Sequence, residues 1–369
     1  MPSEQTMKNV EQLDPNMKLQ GANDQEWQWI SPQQEPLQIS GLPWITEEKI
    51  YRRLPQNPQW PLPSAVDSLA NCTAGAQIRF ATNSRRLSLR VVLAAPASMY
   101  HMPSTGQCGF DCYIGAPGRQ RYFSTTRYDH TQTEYEAVLF DSDNIELKNI
   151  TLNFPLYQGV KEVSIGVEPN AELSAPPQYD DGGKVLFYGT SITQGGCASR
   201  PGMAFTNILS RRINRECINL GFSGNGKGEP ELAHIINEIP NTACYVLDYD
   251  ANVASVEAMQ QTLPEFIRIL RMDHPETPIL VISRIPAANE FYDIAALEKR
   301  HGKAKVQRDT VAQLQSQGDI NISFLDGEEL MGDDYLESTV DGSHPTDLGF
   351  WLMANSLEPI LKKLLAIGR

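Results

Sequence analysis

The chain has 369 residues, 41% of them apolar and 21% charged, which is the balance of an ordinary soluble protein with enough apolar surface for two cores. Its net charge of −14 repels a phosphate backbone, and no basic stripe offsets that repulsion, so nucleic acid is excluded as a partner. No apolar run approaches the roughly 18 residues needed to cross a bilayer, and membrane insertion is not expected.

Residues 1–34 are rich in Gln, Asn, Glu and Pro and carry no basic-then-apolar signal pattern, which predicts a polar arm and no export. The cysteines, Cys72, Cys108, Cys112, Cys197, Cys217 and Cys244, are too scattered for a disulfide scaffold and lack the paired spacing of a zinc site. Cys217 and Cys244 fall in apolar strand-like runs, where a free cysteine behaves as a small buried hydrophobe. The expected compartment is therefore reducing, the cytoplasm. Because no His, Cys or carboxylate residues recur at ligand spacing, neither a metal nor another cofactor is expected.

From 35 to 170 the pattern is short and alternating. The segments 76–81, 87–93, 110–114 and 163–167 each alternate apolar with polar or small residues, as half-buried strands do. No helical stripe interrupts them, so this half reads as an antiparallel β-sandwich of jelly-roll type. Residues 171–183, with Pro176, Pro177, Asp180, Asp181, Gly182 and Gly183, suit a linker without regular structure.

From 184 to 369 the period changes. Continuous apolar runs at 185–188, 217–220, 243–247, 279–283 and 322–325 alternate with amphipathic stretches. Examples are Phe205/Ile208/Leu209/Ile213 and Leu263/Phe266/Ile267/Leu270, which hold the three-and-four spacing of a helix face. Buried strands alternating with helices imply a parallel sheet covered on both sides, with chemistry in the crevice beyond the carboxyl ends of its strands.

Four groups of polar residues fall at those strand ends. Gly189-Thr190-Ser191 follows the first run, and a glycine there allows a tight turn that lifts the hydroxyl off the sheet edge. Position 193 is threonine, so the second glycine of the Gly-x-Ser-x-Gly elbow is missing and the α/β-hydrolase family is disfavoured. Gly224 lies in the loop after the second run. Asn252 follows the third run, in Asp250-Ala251-Asn252-Val253. Asp341 and His344, three residues apart in a Gly/Ser/Pro loop, precede a final helix over 348–365; that spacing lets the carboxylate hold one ring nitrogen while the other faces a serine. Each has a plainer alternative as a turn or capping residue. Their order along one sheet favours chemistry. Arg200, shortly after the serine, is a candidate to line a substrate mouth, with a surface ion pair as the alternative. The aromatic loop 99–102 of the first half is a candidate to reach over the site, with an ordinary folded loop as the alternative.

The order Gly189-Thr190-Ser191, Gly224, Asn252 and Asp341-x-x-His344-Pro345 resembles the SGNH (GDSL-type) hydrolase superfamily over 183–369. The third block departs from the usual Gly-x-Asn-Asp of that superfamily. Gly109-Phe110-Asp111-Cys112-Tyr113 is similar to the Gly-x-Asp-Leu-Tyr signature of the β-sandwich that precedes the hydrolase domain in one branch, with cysteine for leucine. The architecture also resembles two-domain carbohydrate esterases. The resemblance implies a three-layer, flavodoxin-like parallel-sheet domain behind a jelly-roll-like sandwich. It implies a serine esterase with Ser191 as nucleophile, His344 as base and Asp341 orienting it, and an oxyanion hole from the N–H groups of Ser191 and Gly224 and the amide of Asn252. The implied substrate is a small-molecule or oligosaccharide ester, with acetyl on carbohydrate foremost. A long-acyl thioesterase or lysophospholipase, or a glycan-binding protein with an inactive hydrolase domain, are the alternatives, and homo-oligomerisation is left open.

Overall fold

The structure, a computed structural model, describes residues 26–367 and the single positions 13, 14, 17 and 19. The predicted arm otherwise lies outside the described residues. The first half contains strands β1 (Gln28–Ile30), β2 (Gln38–Ser40), β3 (Gln77–Thr82), β4 (Arg86–Leu93), β5 (Asp111–Ile114), β6 (Arg121–Thr125), β7 (Glu134–Asp141), β8 (Lys148–Asn153), β9 (Val160–Val167) and β10 (Leu173–Ser174). They form two antiparallel sheets, ordered β1-β9-β4-β7 and β10-β3-β8-β5-β6, with β2 also on β3. Their inner faces meet in one core built from residues such as Ile78, Phe80, Leu89, Phe110, Leu152 and Ile165. Alternation along each strand places these side chains inward, as a sandwich requires.

Three expectations are corrected here. Gln28–Ile30, expected in the polar arm, is an edge strand on β9. The reason is its tryptophans: the guanidinium of Arg90 stacks 3.9 Å from the Trp29 ring and that of Arg86 4.9 Å from Trp27, which anchors an otherwise polar segment. Leu173–Ser174, expected in the linker, pairs with Thr82 and Ala81. Short helices at Ile45–Glu48, Ser64–Leu69 and Ser104–Gln107 interrupt the strands of this half.

The second half contains the parallel strands β11 (Lys184–Gly189), β12 (Cys217–Gly221), β13 (Thr242–Asp248), β14 (Ile279–Ile282) and β15 (Ile322–Leu325), ordered β12-β11-β13-β14-β15. Successive residues of each strand face opposite ways. Leu186, Tyr188, Leu220, Leu247 and Val281 pack under helices Pro230–Asn237, Val256–Asp273 and Ile294–Ser316. Val185, Phe187, Val246, Leu280 and Ile282 pack under helices Phe205–Ile213 and Asp347–Leu364. Burial on both faces explains why these strands read as continuous apolar runs. Among the described residues no helix is long and apolar enough to cross a membrane.

The halves share a core. Leu54, Val66 and Ala70 of the first half pack into the cluster under Leu186 and Tyr188. Arg53, fully buried, donates from Nη1 to the carbonyls of Asn219 (3.1 Å) and Gly221 (2.6 Å) at the end of β12. Its other donors reach the carbonyls of Cys72 and Leu69. Burial pulls its pKa down to about 10, so it remains a cation holding the carboxyl end of β12.

Candidate active site

The first turn beyond β11 is held from three sides. A Cβ at Gly189 would lie 2.0 Å from Thr193 Oγ1 and 2.5 Å from the Asp248 carbonyl oxygen, so only glycine fits. Thr190 caps the short helix Ser191–Gln194, its hydroxyl accepting from the N–H of Ile192. The Thr193 hydroxyl accepts from the N–H of Thr190 at 3.1 Å and donates to Asp248 Oδ2 at 2.8 Å. The threonine that breaks the Gly-x-Ser-x-Gly pattern is thus the residue that fastens the serine turn to the end of β13. Burial, with the Asp250 carboxylate adding to it and the Thr193 hydroxyl opposing it, pushes the Asp248 carboxyl up to about 7.

Ser191 Oγ lies 2.8 Å from His344 Nε2, and His344 Nδ1 lies 2.7 Å from Asp341 Oδ2. Asp341 Oδ1 accepts from the backbone N–H groups of Ser343 and His344 at 3.0 and 2.8 Å. Partial burial acts to raise the Asp341 pKa, but the His344 N–H and ring and the Ser343 N–H outweigh it and hold the carboxyl below its ordinary value. Asp341 is therefore ionised at neutral pH. A carboxylate on Nδ1 fixes the tautomer whose Nε2 lone pair faces the serine hydroxyl. The sequence spacing of three between Asp341 and His344 is realised as one turn closed on itself. A bridge between Thr339 and Pro345 pins its two ends.

Gly224 sits in an exposed turn with φ +68°, a left-handed conformation that needs glycine although a Cβ would meet nothing within 4 Å among the described residues. Asn252 Nδ2 donates to the Phe222 carbonyl at 3.2 Å, so the two loops expected to supply oxyanion donors are bonded to each other. The amide carries a second N–H. Asp250, the acid of the altered third block, points elsewhere. Its Oδ1 pairs with Lys303 at 2.5 Å and its Oδ2 accepts from Gln307 at 2.6 Å, on the helix Ile294–Ser316.

The sandwich half reaches the site through contacts that sequence reasoning did not reveal. The Tyr157 hydroxyl donates to the Ser191 carbonyl at 3.0 Å, and burial raises its pKa, keeping it a neutral donor. Gln194 Nε2 donates to the Leu156 carbonyl and its Oε1 accepts from the N–H of Ser223. Arg200 is paired, and its partner is not a surface acid. Its Nη1 donates to Asp111 Oδ2 (2.9 Å) and the Tyr113 hydroxyl (2.5 Å), and Asp111 is fully buried. Asp111 Oδ2 also accepts from the N–H of Gly202 at 2.7 Å, and its Oδ1 from Asn153 Nδ2 at 2.7 Å. The Gly109-Phe110-Asp111-Cys112-Tyr113 segment thus grips the loop that follows the serine helix. The aromatic loop 99–102 does approach the site: the His101 ring lies 5.6 Å from that of His344 at 76°.

His101, Cys197 and His344 each place one ligand-type atom within 4.8 Å of the others. Spacing along the chain concealed this grouping, because its members come from three distant segments.

A family model for GDSL-like lipase/acylhydrolase matches residues 183–362, and a model for the N-terminus of SGNH-hydrolase-type esterases, named for its Gly-x-Asp-Leu-Tyr motif, matches residues 27–173. A protein from Bacteroides ovatus described as a GDSL-like lipase is 30% identical with a TM-score of 0.85, over 92% of this chain and 98% of that one. A salicylyl-acyltransferase from a tetracycline biosynthetic pathway shares the fold at 18% identity and TM-score 0.72, over 92% and 98% of the two chains. A family two carbohydrate esterase from Cellvibrio japonicus does so at 15% identity and TM-score 0.59, over the same shares. No curated protein matches the chain. Two family models over the two halves and a 30%-identical relative along nearly its whole length agree with the serine, histidine and aspartate geometry: the chain belongs to the GDSL-like lipase/acylhydrolase family of SGNH-type hydrolases.

Proposed function

We propose that the protein is a serine ester hydrolase that removes acetyl or other short acyl groups from carbohydrate. The observation that carries the reading is the continuous line Ser191 Oγ, His344 Nε2, His344 Nδ1, Asp341 Oδ2, with contacts of 2.8 and 2.7 Å. Ser191 Oγ attacks the ester carbonyl as His344 Nε2 takes its proton, and the ionised Asp341 stabilises the resulting imidazolium. The N–H groups of Ser191 and Gly224 and the amide of Asn252 receive the oxyanion. His344 returns the proton to the departing alcohol. Water then attacks the acyl-enzyme by the same route, releasing the acid and restoring Ser191. The chemistry requires no cofactor.

Two points support a carbohydrate leaving group. The fold is shared with the Cellvibrio japonicus carbohydrate esterase, and Tyr100, 92% exposed and stacked on His101 at 4.5 Å, offers an aromatic face at the rim. The test is acetate release from acetylated oligosaccharides beside a series of nitrophenyl esters of rising acyl length, with Ser191→Ala as the control. Acetate release with activity falling steeply beyond short chains is expected. Cleavage of long-chain esters alone would overturn the substrate class, and no cleavage of any ester would overturn the hydrolase reading.

A further inference from the structure

We propose that His101, Cys197 and His344 form an inhibitory site for a soft divalent cation, zinc foremost, that switches the hydrolase off by occupying its base. Three donors of the types zinc prefers converge: two imidazoles and a thiol, each with a ligand atom within 4.8 Å of the others. Tetrahedral zinc holds such atoms about 3.5 Å apart, so a contraction of about 1 Å completes the set.

The two imidazoles are prepared by their surroundings, and the thiol is brought against them by its turn. His101 Nδ1 is buried without a partner among the described residues, and Tyr100 stacks on its ring. Cys197 is 4% exposed and adopts φ +75°, a left-handed conformation uncommon for a residue with a side chain. A Cβ at Gly196 would lie 3.3 Å from His344 Cδ2, so the turn that carries Cys197 runs along the His344 ring. Asp341 on Nδ1 of His344 makes that histidine a zinc ligand by the same bond that makes it a base, because a carboxylate partner orients the ring and raises its basicity. Binding releases the Cys197 thiol proton to solvent, takes the lone pairs of His101 and of His344 Nε2, and leaves the Ser191 hydroxyl without its acceptor.

Inhibition rests on the assignment of His344 as the base, whereas binding does not. Metal-stripped protein is therefore titrated with Co²⁺, read by its thiolate-to-metal charge-transfer absorption, and separately with Zn²⁺, read by hydrolysis of nitrophenyl acetate. One equivalent of Co²⁺ should develop the thiolate band, and Zn²⁺ should abolish hydrolysis until a chelator restores it. His101→Gln and Cys197→Ser, in different halves of the protein, should stay active when metal-free. Each should raise the Zn²⁺ concentration for half-inhibition by about 10-fold or more, and Cys197→Ser should lose the band. Absence of the band from the wild-type protein, or equal Zn²⁺ sensitivity in both variants and the wild type, would overturn the site. A band in a protein that hydrolyses no ester would keep the site and remove the hydrolase reading.

Discussion

The two sides of the proposed relay are built in opposite ways. On the nucleophile side the backbone is buried and held by distant parts of the fold: Thr193 on Asp248 of the next strand, Tyr157 and Leu156 of the sandwich, and a glycine that no other residue can replace. On the base side Asp341 and His344 are 29% and 24% exposed, and Asp341 takes its bonds from Ser343 and His344 of its own turn. A serine turn made by tertiary packing is rigid but sensitive to changes elsewhere in the fold. A base turn made by local bonds can be altered with little consequence for the rest of the protein. Substitutions on the base side should therefore cost activity and little stability, and those supporting the nucleophile turn should cost stability first.

The largest effect is expected at the reacting atom. Ser191→Ala should reduce ester hydrolysis by about 10⁴-fold or more with an unchanged melting temperature, since a half-buried hydroxyl is removed and no core group is lost. Retention of a tenth of the activity would show that another group attacks. Next comes Asp341→Asn, which keeps the shape of the turn but removes the charge on Nδ1. A kcat loss of about 10³- to 10⁴-fold with unfolding at the wild-type temperature is expected. A nearly silent variant would mean a dyad, because Asp248 is bonded to Thr193 and Asp250 to Lys303, and neither is hydrogen-bonded to His344.

Asn252→Ala tests the oxyanion assignment at a smaller scale, about 10²- to 10³-fold in kcat with KM little changed. Asn225→Ala is the control, since Asn225 Nδ2 is taken up locally by the Ser223 carbonyl at 2.8 Å. If the loss appears at 225 and not at 252, the altered third block has moved its amide away from the reacting carbonyl.

The remaining two predictions concern stability. In Thr193→Val the N–H of Thr190 and the Asp248 carboxyl each lose a partner, at a cost of about 1–3 kcal/mol in denaturant unfolding. Ser191 stays chemically intact, so activity per folded molecule should fall less than in Asp341→Asn. Asp248 itself should make stability depend on pH. Its folded value near 7 lies above its ordinary value of about 4, so below pH 4 the acid is protonated in both states. Between those limits only the unfolded state releases the proton. Stability therefore declines as pH rises to 7, with a ceiling of about 4 kcal/mol. Asp248→Asn should remove that decline, leaving the variant more stable above pH 7 and comparable to wild type below pH 4; parallel curves would show that Asp248 does not titrate in the folded protein.

The contrast between tertiary and local construction also governs what the sequence revealed. The five parallel strands were legible because burial on both faces leaves runs such as Val185-Leu186-Phe187-Tyr188 wholly apolar, and Asp341 with His344 was legible because the pair is local. In the sandwich, strands such as Arg121–Thr125 were missed because their burial is slight and their pairing supplies the order. Gln28–Ile30 was hidden in a polar stretch whose tryptophans find arginines on a strand about 60 residues away. Tyr157 and Arg53 carried no signal of their function, and the signature holding Asp111 did not reveal its partners, since each acts on a backbone or side chain of the other half. The partner of Arg200 was hidden for the same reason: nothing near it in sequence reveals a buried acid 89 residues earlier.

The central claim, an acyl-enzyme on Ser191 formed with His344 as base, is tested most directly by trapping the nucleophile. The protein is treated with a fluorophosphonate ester and digested, and the adduct is located by mass spectrometry. One adduct per chain is expected, on Ser191, absent from Ser191→Ala and formed much more slowly in His344→Ala. An adduct on another residue, or an unlabelled protein that still hydrolyses esters, would contradict the account.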